Sequence, residues 1–169
     1  TNVSGAGTAW TVTVSTGAGS GTLGLNLTNS TGVIDAAGNA LGNVPFTGAV
    51  YTLDRTAPTV SSITLLDPSP TNLTSVRFSV TFGESITGLT AANFALVNGG
   101  LGGTPAITNV SGSGTSWTVT ASTGSGDGTL GLNLTNSAGV ADAAGNALGN
   151  VSFTGAVYTL DRSSPLVSS

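Results

Sequence analysis

The chain has 169 residues, enough for about one and a half domains of ordinary size. Three Arg and no Lys or His stand against seven acids, for a formal charge of −4. This acidic balance offers no electrostatic footprint to nucleic acid or to an anionic membrane surface. With no Cys there is no disulfide framework and no thiolate metal site. No apolar run approaches the roughly 20 residues that cross a bilayer.

The 26 glycines and the abundant Ser and Thr could suggest disorder. Their placement argues for order, because apolar residues alternate inside short segments and the glycines fall between them. The dominant signal is a repeat. Trp10 recurs as Trp117, and the same step of 107 residues carries Asp35 to Asp142, Tyr51 to Tyr158 and Arg55 to Arg162. Residues 1–62 align on 108–169 without a gap and differ at eleven positions, mostly by small changes such as Ala6 against Ser113. Solvent-facing positions of a fold tolerate more drift than this, so the copies read as a recent duplication inside an array.

In chain order, residues 1–57 are the C-terminal part of one repeat, 58–162 a complete repeat, and 163–169 the start of a following one. Within the first part, Trp10 and Val12, then Leu23, Leu25 and Leu27, mark the counterparts of later strands. In the complete repeat the expected strands begin with Val60–Leu66 and Ser75–Phe82, where Val76, Phe78, Val80 and Phe82 alternate with polar residues. Asn93–Val97 and Ala106–Ser111 follow. Trp117, Val119 and Ala121 mark the fifth strand, Leu130, Leu132 and Leu134 the sixth, and Phe153–Leu160 the last. Turn chemistry separates them, including Asp67-Pro68, Asn98-Gly99-Gly100 and Gly112-Ser113-Gly114. Pro45, where the second copy has Ser152, fits the start of an edge strand.

Seven short strands in about 105 residues, each with one apolar face, describe an all-β, Greek-key immunoglobulin-like sandwich. The expected interior includes Val76, Phe78, Phe94, Trp117, Leu130, Leu132 and Leu134. The parity of Trp10 with Val12, and of Trp117 with Val119, assigns both indoles to the core rather than to a sugar-stacking surface. The linker from Asp54 to Pro58 is short, and Pro58 holds its predecessor extended, so consecutive repeats are expected to be nearly collinear.

The segments from Phe82 to Phe94, Ser116-Trp-Thr-Val-Thr, Asp142-Ala-Ala-Gly-Asn146 and Tyr158-Thr-Leu-Asp-Arg162 resemble, in order and spacing, the bacterial Ig-like repeats of giant surface adhesins. The resemblance covers essentially the whole chain. It implies a stalk or spacer, secreted to the bacterial surface and often stiffened by calcium.

Catalysis needs a poised charge, or a nucleophile with a base beside it. Without His, Cys and Lys no such pair can be drawn, and the seven acids fall at expected turns and strand ends. An enzyme is therefore excluded. Isopeptide and Thr–Gln ester cross-links are excluded as well, since the chain has neither Lys nor Gln.

The acids do form one pattern. In an Ig-type topology the loop between the second and third strands and that between the sixth and seventh share a pole with the incoming chain. That pole would gather Asp54, Glu84, Asp142 and Asn146, hard oxygen donors suited to Ca²⁺, with Asp35 and Asn39 as the equivalents in the first copy. Alternatively, Asp142 and Asn146 simply build an Asx-turn and a left-handed corner around Gly145.

Two functions compete: a spacer or filament segment holding units in a stiff line, and a module whose loops grip a glycan or protein. The expected partners are neighbouring repeats of the same protein, with head-to-tail self-assembly as one form. Residues 1–60 lack counterparts of the first three strands, so Trp10, Val12, Leu23, Leu25 and Leu27 would be left uncovered. Either preceding residues of a longer polypeptide complete this half, or residues 58–97 of a neighbouring chain do.

Overall fold

The computed structural model of the chain describes residues 1–167. It divides into two units, Thr1–Thr56 and Ala57–Ser169. The expected start of a following repeat, 163–169, falls partly on residues outside those described.

The first unit consists of two hairpins. Strands β1 (Asn2–Ala6) and β2 (Ala9–Thr13) pair antiparallel, as do β3 (Gly21–Leu27) and β4 (Phe46–Leu53). Pro45 stands immediately before β4. Not one residue of this unit is buried, and Trp10 is 63% exposed. The sequence places these side chains on a core-facing surface, and the core they face is missing from the unit.

The second unit supplies such a core. Its strands are β5 (Val60–Leu65), β6 (Ser75–Ile86), β7 (Phe94–Gly99), β8 (Ile107–Ser122), β9 (Gly128–Leu134) and β10 (Phe153–Leu160). A single 3-10 turn, Ala91–Asn93, precedes β7. One sheet has the order β5-β6-β8 and the other β10-β9-β7.

The long strand β8 is in fact two arms. Sixteen extended residues would reach roughly 50 Å. Yet the amide of Ser122 donates to the carbonyl of Ala106 at 2.9 Å, and Thr108 Oγ1 donates to the carbonyl of Thr120 at 3.2 Å. The run therefore doubles back near Gly114, which has φ +62°. Gly112 permits the close return, since a Cβ there would sit 2.6 Å from Trp117 Cα. Counting both arms restores the seven expected strands, arranged four against three as in constant-type Ig domains.

Period-two alternation fills the space between the sheets. Val76, Phe78 and Val80 of β6 and Leu130, Leu132 and Leu134 of β9 are fully buried, with Val119, Ala121, Tyr158 and Leu160. Each large apolar side chain so enclosed contributes about 1.5–3 kcal/mol. Phe94 is buried as expected, whereas Trp117 is only half-buried and packs against the cluster. Among the described residues no buried side-chain polar atom lacks a hydrogen-bond partner.

Several expected boundaries shift, two of them around Glu84 and Asn93. β6 continues four residues past Phe82, to Ile86, although Gly83-Glu84-Ser85 breaks the apolar alternation. Its ladder with β8 is irregular here, resuming at Ile86 opposite Gly114. β7 begins at Phe94 because Asn93 ends the 3-10 turn instead of entering the sheet.

Candidate functional site

The pole formed by the end of β6 and the β9–β10 loop is built from backbone bonds. The amide of Thr87 donates to the carbonyl of Ala141 at 2.9 Å, and the amide of Ala141 returns to Thr87 at 3.3 Å. The incoming chain reaches the same pole, because the amide of Gly149 donates to the carbonyl of Pro58 at 2.8 Å. The loops and the incoming chain thus share one end, as the Ig topology predicts.

Asp142 sits in a tight loop that Val140 and Leu148, both buried, tie to the core. Its Oδ1 accepts the amides of Ala144 at 2.9 Å and Asn146 at 2.8 Å, and its Oδ2 accepts Nδ2 of Asn146 at 2.8 Å. The bond from the Asn146 side chain, above all, holds the carboxyl below its ordinary pKa, and the loop amides reinforce this against burial. Gly145 turns the corner with φ +90°.

The same loop forms in the first unit. Asp35 Oδ1 accepts the amides of Ala37 and Asn39 at 2.9 and 2.8 Å, and Asn39 Nδ2 donates to Asp35 Oδ2 at 2.9 Å. The Asn39 side chain lowers the Asp35 pKa in the same way. Because the geometry repeats where nothing packs over it, the Asx-turn is a local property of Asp-Ala-Ala-Gly-Asn. Three bonds thus hold the Asp142 carboxylate in its loop, of the roughly four acceptor sites that an ionised carboxylate offers.

Glu84 lies within β6 instead of in the loop after it, and is half-buried. One of its carboxylate oxygens comes within 4.8 Å of one from Asp142. Two such charges repel by about 1 kcal/mol even at the dielectric of bulk water. Of the four expected ligands, Glu84, Asp142 and Asn146 come together at this pole. Asp54 follows β4 in the first unit, where its Oδ1 accepts the amide of Thr56 at 2.9 Å.

Sequence reasoning missed three polar anchors. Asn150 brackets Val60, its Oδ1 accepting the Val60 amide at 2.7 Å and its Nδ2 donating to the Val60 carbonyl at 3.0 Å. Asn93, almost fully enclosed, donates through Nδ2 to the carbonyl of Ala138 at 3.0 Å and to Asn136 Oδ1 at 3.2 Å. At the opposite pole Arg162 donates to the carbonyls of Gly126 at 2.6 Å and Leu73 at 2.8 Å and to Thr123 Oγ1 at 2.6 Å. A signal existed for the last: Arg55 and Arg162 are two of only three cations, one repeat apart.

The bacterial Ig-like domain family matches residues 54–158. That span includes Glu84, Asp142 and both sheets of the second unit except the last two residues of β10. No curated protein and no solved structure matches the chain. With well over half its length matched, the chain belongs to the bacterial Ig-like domain family.

Proposed function

We propose that the chain is a non-enzymatic spacer segment of an extracellular bacterial adhesin or surface fibre, holding Ig-like units in a stiff line. The observation that carries this reading is the gapless 107-residue step, with only eleven differences over 62 aligned residues, in a member of an Ig-like family. Reach needs many equal units, whereas a binding site needs only one specialised unit. Among the described residues no helix is long and apolar enough to cross a membrane.

Small-angle scattering of arrays with increasing numbers of repeats tests the proposal. The maximum dimension should rise by equal increments with each unit; a compact or widely flexing particle would overturn it. Exposed aromatic residues would favour the ligand-binding alternative, in which loops grip a glycan or protein. Those exposed in the first unit, Trp10, Phe46 and Tyr51, are repeat equivalents of core-facing Trp117, Phe153 and Tyr158, which gives them a packing role.

Calcium belongs to this reading as a stiffening ion. Glu84 and Asp142, whose carboxylate oxygens come within 4.8 Å, would be donors. Hard oxygen ligands of this kind suit Ca²⁺, with the weak affinity of extracellular modules.

A further inference from the structure

The first unit presents an uncovered apolar face. Its open grooves, of about 330 and 580 Å³, are lined by Val12, Leu23, Leu25 and Tyr51 and by Trp10, Leu27 and Ile34, respectively. The repeat itself shows what covers such a face. Val119, Leu130, Leu132, Leu134, Tyr158 and Leu160 correspond one for one to Val12, Leu23, Leu25, Leu27, Tyr51 and Leu53, and all six are sealed. The seal comes from β5, β6 and β7. β6 pairs with the second arm of β8 from Ser75–Ser122 to Thr81–Ser116, and β7 pairs with β9 from Phe94–Leu134 to Gly99–Thr129. In the first unit β2 pairs only with β1 and β3 only with β4, so the corresponding ladder edges stand open.

We propose that this face is a strand acceptor whose occupant is a further three-strand segment with the pattern of residues 58–107. The proposal rests on the reading of the chain as equal repeats, and it can fail while the rod reading stands. A second copy of the chain does not fit the role. Each copy carries two acceptor faces, within 1–56 and 108–162, and one covering segment, which already seals the second of them. Exchange between copies would close one face by opening another, leaving as many apolar faces in water as before. An additional covering segment is required, and the repeat step places it in register when its last residue joins Thr1.

The test extends the full chain with a second copy of residues 58–107 ahead of Thr1, in a Trp117→Phe background so that Trp10 alone reports. Acrylamide quenching of Trp10 should fall several-fold against the unextended chain, and its emission should shift to the blue. Amide exchange at Leu25 and Val50 should slow to the rates of Leu132 and Val157, a readout also available with Trp117 intact. Quenching and exchange unchanged by the extension would overturn the proposal. So would an unextended chain that already protects Trp10 while running as a dimer, since the occupant would then be a second copy.

Discussion

The hydroxyl of Tyr158, on β10, donates to the carbonyl of Arg77 on β6 and so joins the two sheets through the core. It also accepts the amides of Leu66 at 3.0 Å and Asp67 at 2.9 Å, filling every site a phenol offers. The ring meets Phe78 edge-on, with centroids 5.1 Å apart. Tyr51, its equivalent one repeat earlier, is 71% exposed. Tyr158→Phe should therefore cost about 1–3 kcal/mol, because the Asp67 amide and its neighbours lose a partner in a dry place. Tyr51→Phe should stay within about 0.5 kcal/mol. Denaturant unfolding of both variants measures the difference.

The two tryptophans make a second matched pair. Each indole N–H donates to a glycine carbonyl three residues back, Gly114 at 3.1 Å and Gly7 at 3.3 Å, so the local hairpin is the same. Only the cover differs. Trp117→Ala should destabilise the second unit by about 2–4 kcal/mol, toward the low end for large aromatic truncations because the ring is half-buried. Trp10→Ala should change thermal stability by less than about 0.5 kcal/mol.

Acid should weaken the second unit through Asp67. Arg77 donates to it from the guanidinium at 2.6 Å and from its amide at 2.7 Å, and these bonds hold the Asp67 carboxyl below its usual pKa. A depressed folded-state pKa gives stability that is whole above the unfolded value, about 3.9, and is lost as pH falls through the folded value. Melting temperature should therefore hold level from pH 7 to about 5 and drop below about 4. Asp67→Asn should lower stability at pH 7 by about 1 kcal/mol at most, given the exposed Arg77 partner, and shrink the acid limb in part, the depressed Asp127 and Asp142 carboxyls supplying the rest. An unchanged acid limb in that variant would count against the assignment.

Calcium at millimolar concentration should raise the melting temperature of the chain, in keeping with extracellular-module affinities. Glu84→Gln should abolish the rise while leaving the Asp142 turn intact, which Asp142→Ala would not. Absence of any shift in the unaltered chain would leave the Asx-turn as the whole role of Asp142.

Fold class was legible because a sandwich strand shows one face to the core. Val76-Arg77-Phe78-Ser79-Val80 and Leu130-Gly131-Leu132-Asn133-Leu134 announce that face directly. Gly83-Glu84-Ser85 carries no apolar alternation, so the extension of β6 was hidden, and with it the placement of Glu84 on a strand. The Asn93 and Asn150 anchors were hidden for another reason. A side-chain amide bonding backbone 90 residues away, as Asn150 does to Val60, leaves no trace in local pattern. Asp142 with Asn146 was legible as chemistry in both of its readings, since one Asp-x-x-x-Asn spacing serves a turn and a hard-cation shell alike.

The Asn150 bracket also decides how the second unit carries tension. A pull arriving along the backbone at Pro58 passes at once to Gly149 and Asn150, which hold Pro58 and Val60. From there it runs along β10 and leaves past Leu160, where Arg162 is pinned to Gly126 and Leu73. The bonds from Gly149 and Asn150 thus tie the entry of β5 to the start of β10, alongside the ladder that joins β5 to β6. A pull at Pro58 would be shared between these bonds and the β5–β6 ladder, so the side-chain amide of Asn150 relieves part of the load on the strand that covers the core.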